Sequence, residues 1–256
     1  MIGTFINVAT ILIGGALGLF FGARLPERIR QTVIAGLGLF TAVVGLQMTF
    51  ETHQPLIVLG SLLLGGILGE WWRIEDNLRR LGAWLENRFT ASPTLENNSH
   101  VPAPAALAAE NAGNGSQSSR FIRGFLTASL VYSIGPMAIL GAIQDGLSGD
   151  YSLLAIKSVL DGFASLAFAS TLGIGVLFSS LVILVYQGGL SLLANQAQAF
   201  ISQAMMDEMT ATGGVLLLGI AISNLLEIKP IRVGNFLPAL AVAPLIVAPL
   251  VALKIM

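Results

Sequence analysis

The chain has 256 residues, 54% of them hydrophobic and only 11% charged, with a mean hydropathy of +0.80 and a net charge of −1. A soluble domain carries about a quarter charged residues, so this composition argues against one and for a polytopic membrane protein. A net charge this small gives no basic field for nucleic acid. The absence of cysteine rules out disulfides, thiolate metal sites and a cysteine nucleophile.

Apolar windows predict an all-α transmembrane bundle. The spans fall at about 3–22, 31–50, 55–71, 121–146, 151–169, 172–194, 211–226 and 233–253, eight in all with seven as the alternative. The first has neither a basic leader nor a small-residue cleavage site, so it reads as a retained span rather than a signal peptide. It carries Gly14-x-x-x-Gly18-x-x-x-Gly22, and span three carries Gly60, Gly65, Gly66 and Gly69. Small residues at this spacing let helices approach closely, inside one subunit or between two copies of the chain. These glycines lie within apolar spans, not after a strand, so they form no phosphate or dinucleotide loop.

Residues 1–71 thus form an N-terminal membrane half of three spans. Over 72–90, Trp71, Ile74, Leu78, Leu81, Leu85 and Phe89 recur at helical spacing opposite Arg73, Asp76, Arg79, Arg80 and Glu86. This predicts an amphipathic helix at the membrane interface. Residues 91–119, rich in Ala, Asn, Ser and Pro and without aromatics, predict a disordered cytoplasmic linker. Residues 120–256 form a C-terminal membrane half of five spans. His53 and His100 fall outside the spans, with no neighbours at metal-ligand spacing.

The run 151–194 would be about 66 Å long as one helix, roughly twice the hydrocarbon thickness, so two spans breaking near Ser170-Thr171-Leu172-Gly173 fit better. Charge supports this. With Arg24, Arg28, Arg30 and the segment from Arg73 to Arg123 cytoplasmic, two spans place Asp207 and Glu208 outside and Lys229 and Arg232 inside. A re-entrant pair gives the same sidedness. A weak internal match sets Gly3–Gly22 on Asp161–Ser180, with Phe5/Phe163, Gly15/Gly173 and Phe20/Phe178 in register. Spans one to three and six to eight would then form an inverted repeat.

Lys157 and Asp161 lie four residues apart within apolar sequence, about 9 and 15 Å deep if their helix starts near Tyr151. Charged groups at that depth mark a pathway, a site or a structural pair. One reading is a mutually neutralising pair; the other makes Asp161 a coupling carboxylate and Lys157 its counter-ion. Pro136 breaks span four and frees the carbonyl of Tyr132. Ser133 and that carbonyl could then line a polar cavity, or the break is a packing kink. Gln144 and Asp145 belong either to an outer mouth or to a solvated turn capping a helix. Asn224 and Ser223 near the inner end of span seven, and Asn7 in span one, are lesser candidates. No catalytic triad is visible and no histidine lies in the membrane core, so no enzyme activity and no cofactor or metal is expected.

Gly135-Pro136-Met137-Ala138-Ile139-Leu140-Gly141, Gln144-Asp145-Gly146 and Lys157-Ser158-Val159-Leu160-Asp161-Gly162-Phe163 are specific enough to carry a likeness. With Gly3-Thr4, Gly66-x-x-Gly69-Glu70 and Asn235-x-Leu237-Pro238-Ala239, the chain resembles the YqgA/YdfK-like family of bacterial membrane proteins. The resemblance implies a multi-pass protein of the bacterial inner membrane, loosely described as a transporter and without an assigned substrate. The expected partners are the lipid bilayer, a small solute or ion and, through the glycine ridges, a second copy of the chain; nucleic acid is not among them. The rival expectation is a non-transporting scaffold or sensor acting through residues 72–119. In this cysteine-free background, Ser116→Cys is expected to react only from the cytoplasm and Asp207→Cys only from outside. The reverse labelling would overturn the topology.

Overall fold

The computed structural model describes residues 1–89, 120–194 and 202–253, so the predicted linker 91–119 lies outside the described residues. Within them all regular structure is helical. Helix α1 spans Ile2–Gly22, α2 Glu27–Thr49, α3 Pro55–Trp72 and α4 Ile74–Phe89. Next come α5 (Arg120–Ser133), α6 (Pro136–Ser148), α7 (Ser152–Leu172) and α8 (Gly175–Leu192). Helix α9 (Gln203–Ile220) continues as a π-turn over Ala221–Leu225, and a 3-10 turn at Val233–Phe236 leads into α10 (Ala239–Ala252). Seven of these segments are long and apolar enough to cross a membrane, eight if the bent pair α5–α6 is counted as one span. The protein is a polytopic helical bundle.

Local chemistry sets the breaks. Span five ends at Gly173, whose φ of +87° favours glycine, so 151–194 folds as two helices of 21 and 18 residues. Each is long enough for a core of about 30 Å. Gly135, with φ +132°, sits at the 63° bend between α5 and α6, and Pro136 then opens α6 at a position where its missing N–H costs nothing.

Backbone approach fixes the arrangement. A Cβ added to Gly14, Gly18 or Gly22 would lie 2.1, 2.3 or 2.4 Å from the carbonyl oxygen of Gly162, Leu166 or Ser170. Both series advance by four, so α1 and α7 run parallel with their backbones in contact. In α2 and α9, Gly45 and Gly214 each face the other's carbonyl, while Gly38 meets Leu225 and Leu226; that pair is antiparallel. So are α3 and α10, where Gly60, Gly65 and Gly69 face Ile246, Ala239 and Asn235, and α1 and α8, where Gly15 meets Leu177 and Met1 meets Gly188. Helices α1, α3, α7 and α9 therefore descend towards one face, here called the basic face because it carries Arg24, Arg30, Arg120 and Arg123. Helices α2, α5, α8 and α10 ascend towards the far face, α6 ends there beside the start of α1, and α4 stays at the basic face.

Spans one to three thus pack antiparallel on spans six to eight, as an inverted repeat would place them. The residue match read from the sequence is not in that register, because the turn at Gly173 cuts the matched segment Asp161–Ser180 between α7 and α8.

Helix α4 is more firmly held than an interfacial helix lying on lipid. Trp71 belongs to α3, and Arg73, with φ 50°, turns the chain between the two. Buried Leu85 packs with Phe121, Phe125 and Leu126. The buried carboxylate of Glu75 accepts from the amide of Gly234 at 3.0 Å, and the Glu75 amide donates to Asn235 Oδ1 at 2.8 Å. Trp71, Trp72 and Trp84 remain exposed at this level, where an aromatic belt would sit.

The glycine contacts are testable. Gly18→Val would drive a side chain into the α7 backbone and is expected to cost about 3 kcal/mol or more. Gly36→Ala, whose Cβ meets nothing within 4 Å, is expected to be neutral or to stabilise by about 0.5–1 kcal/mol. Melting temperatures of the detergent-purified variants read both.

Candidate functional site

The α1–α7 contact carries a cluster of polar groups into the bundle. Asp161 is the tenth residue of α7, so it lies about 14 Å from the far-face end of a helix about 31 Å long. Lys157, one turn earlier, donates its ammonium to Asp161 Oδ2, and both side chains are buried, at 7% and 10% exposure. A second donor comes from α1, where Asn7 Nδ2 reaches the same oxygen at 3.0 Å. The same amide nitrogen also donates to Gln187 Oε1 of α8 at 3.2 Å. One turn towards the basic face, Ser165 pairs with the phenol of Tyr132 from α5 at 2.8 Å. Four helices thus contribute to a line of hydrogen bonds, and Asn7, Gln187, Ser165 and Tyr132 are all fully buried.

Below that line the interior is mainly apolar. Ile11, Ala128, Phe168, Leu172, Val176, Ile183 and Leu225 form one apolar cluster. At the basic face a further cavity of about 320 Å³ opens, lined by Arg30, Glu86, Arg120, Ser170 and Gly173. There Arg120 donates to the carbonyl of Thr171 and Arg30 to that of Gly22, so each cation caps the C-terminal end of a descending helix.

The remaining sequence candidates are placed apart from this line. Asp145 is buried but committed: Oδ1 pairs with the amino group of Met1 at 3.0 Å and Oδ2 accepts from the Gly3 amide at 3.0 Å. It therefore caps α1 from α6, where the sequence left open an outer mouth. Gln144 is exposed beside it. Ser133 lines a cavity of about 410 Å³ with Ile139, Val182, Tyr186, Met206 and Leu240. The α5–α6 break thus opens on apolar surface, as its packing-kink reading has it, and not on the polar cavity of the alternative. Pro136 sits at that break, and its side chain lies outside the described ones. Asn224 donates to Thr127 at 3.1 Å while its carbonyl accepts from Arg123. It locks the π-turn at the basic face and does not join Asp161. Gly14, Gly18, Gly22, Gly65 and Gly69 each lie against the backbone of a facing segment.

Sequence reasoning missed Gln187, the lone amide side chain among the apolar residues between Gly173 and Leu193, and ranked Asn7 below Asp145. It also missed Glu208, which is fully buried and accepts from Thr52 Oγ1 and from the amides of His53 and Gln54 at 2.6, 2.9 and 2.9 Å. That carboxylate holds the N-terminal end of α3. Asp150, exposed in the turn before α7, plays a similar capping part. Its carboxyl is held below the usual range by hydrogen bonds from the side chain and amide of Ser152. Among the described residues no group of acidic or histidine side chains could hold a metal ion.

A helical bundle with a buried ion pair at the meeting of three spans defines an integral membrane protein. The chain belongs to the family described as "Protein of unknown function (DUF554)", which it matches over residues 2–248. It is 28% identical over 251 residues to the uncharacterized membrane protein YdfK of Bacillus subtilis (strain 168), covering 96% of each chain. It is 32% identical over 244 residues to the uncharacterized protein YqgA of Escherichia coli (strain K12), covering 95% of this chain and 94% of that one. No solved structure matches it.

Removing one member of the ion pair leaves the other charge buried without its partner. Lys157→Met and Asp161→Leu are each expected to destabilise the fold by about 3–5 kcal/mol, and the double variant to recover most of that loss. Thermal unfolding of the singles and the double in one detergent measures the coupling.

Proposed function

We propose that the protein is a transporter of a small solute or ion across the bacterial inner membrane, with Asp161 as the coupling carboxylate and Lys157 as its switchable counter-ion. The observation that carries this reading is the buried Lys157–Asp161 pair held by α1 and α8 as well as by α7. Stability alone does not call for it, because well-packed apolar residues replace buried ion pairs at little or no cost. Motion of α7 against α1 would break the Asn7–Asp161 contact and expose the pair, so that a proton or a cation can compete with Lys157 for the carboxylate. The α1–α7 seam of small residues and the bent α5–α6 span supply places for such motion.

The alternative is a scaffold or sensor working through α4 and the segment after it. It is less favoured because Leu85 and Glu75 commit part of α4 to contacts within the protein. Deleting residues 91–119 separates the two readings, since a scaffold loses its phenotype and a transporter keeps its flux.

The direct test is uptake or current in proteoliposomes against a panel of cations, anions and small acids. Asp161→Asn is expected to insert normally and to reduce coupled flux to background, and Lys157→Ala to shift its pH dependence. A well-folded, fully active Lys157→Met/Asp161→Leu double variant would rule out the site.

A further inference from the structure

Among the described residues, five buried side-chain polar atoms have no protein partner, and three of them belong to side chains at or next to the ion pair: Thr4 Oγ1, Asn7 Oδ1 and Gln187 Nε2. All three side chains are fully buried. Thr4 lies one turn before Asn7 on the same face of α1, directly after Gly3, whose amide is tied to Asp145. We propose that α1, α7 and α8 enclose a water site on the far-face side of Asp161, where ordered water bonds Thr4 Oγ1, Asn7 Oδ1 and Gln187 Nε2.

Reorienting the amides does not remove the unmet atoms. Asn7 Nδ2 already serves both Asp161 Oδ2 and Gln187 Oε1, so the other edge of each amide carries the orphan. Turning Asn7 alone sets Oδ1 against an ionised carboxylate; turning Gln187 alone sets one NH2 group against another. When Asp161 carries a proton, both amides can turn together. The carboxyl O–H then donates to Asn7 Oδ1, which also accepts from Gln187 Nε2. The unmet edge is now Asn7 Nδ2 and Gln187 Oε1, so donor and acceptor have exchanged places.

A guest of fixed polarity satisfies only one of these states. A metal cation needs acceptors and an anion needs donors, whereas water donates and accepts and fits both. A buried water typically makes two to four hydrogen bonds, and this site offers three. The site would extend the polar line from Asp161 one turn towards the Gly3–Asp145 cap at the far face. It deepens the transport reading by naming protons relayed through water as the coupling route and the far face as the side they come from.

The test does not depend on flux. Thr4→Val keeps the shape of the side chain and deletes the hydroxyl. If the site is hydrated, the variant strips water of a partner and the melting temperature falls by at least about 2 °C. A melting temperature that is unchanged or raised means a dry, unmet hydroxyl and overturns the inference. Should the variant fail to fold, the intact protein decides, because hydroxyl radicals made by X-ray radiolysis of bound water in H2(18)O label adjacent side chains. Oxygen-18 is expected on the buried Thr4 or Asn7, resolved by fragmentation from the exposed Phe5, and not in the buried stretch 211–217. No label on Thr4 or Asn7 overturns the proposal. Proteoliposomes without flux but with a labelled, hydrated site would defeat the transport reading and leave the water site standing; flux with a dry site would do the opposite.

Discussion

The contact on which the rest depends is the meeting of two helix backbones, α1 and α7, along Gly14, Gly18 and Gly22. Lipid provides no hydrophobic drive for one apolar helix to leave it for another, so association rests on packing and hydrogen bonds. Glycine at every fourth position removes the side chains that would hold the two backbones apart. The seam then continues towards the far face, where the spacing is close enough for the short side chain of Asn7 to reach Asp161 at 3.0 Å. A longer-range contact would have needed a longer side chain or an intervening water. The glycine ridge and the charged pair are thus two parts of one arrangement, with close packing in the basic-face half and polar bonding in the far-face half.

The same logic explains why the charges are bearable. An ammonium and a carboxylate one turn apart neutralise each other, yet each keeps hydrogen-bonding capacity that lipid cannot meet. Asn7, itself bonded to Gln187, takes up part of it on the protein side, and α7 turns its exposed Ile156, Val159, Leu160 and Phe163 outward. The polar face is therefore directed to α1, α5 and α8 and the apolar one to lipid, although a hydrophobic average over α7 would conceal both. Towards the basic face, Phe168, Leu172 and Ile183 close the interior with side chains that have no polar atoms to offer. The ion-pair site thus has Thr4, Asn7 and Gln187 on its far-face side, whereas towards the basic face the Ser165–Tyr132 pair gives way to a mainly apolar layer.

Much of this was legible in the sequence, because the bilayer constrains it so tightly. Span length, the excess of arginine on one face and the spacing of glycines each follow from a single physical requirement, and the helices fall where those requirements put them. The turn at Gly173 was legible to within a few residues for the same reason. What could not be read was partnership. Asp145 read either as an outer mouth or as a turn capping a helix, because the two have the same local sequence; only the fold brings Gly3, some 140 positions away, against it. Gln187 carried no signal beyond being an amide in apolar surroundings, and its importance arises from facing Asn7 across a helix gap. The π-turn holding Asn224 likewise depends on Arg123 and Thr127, from a different span.

The break in span four illustrates how far local rules carry. Proline and a left-handed glycine dictate a bend and a freed carbonyl wherever they occur. Whether the bend lines a polar path depends on what packs over it, and here Val182, Tyr186, Met206 and Leu240 do. The bend therefore serves shape before chemistry. It tilts α6 away from α5 by 63°, carrying Asp145 to the start of α1 and Gly146 against Ser191. With the α1 end fixed from one side by Asp145 and from the other by the glycine seam, Asn7 is held between two anchors. Any change in its position relative to Asp161 must therefore move α1 against α7 and disturb the Asp145 contacts of α6 as well. The charged pair is in this way tied through α1 to the bent span, while α2 and α9 meet separately at the Gly45–Gly214 contact.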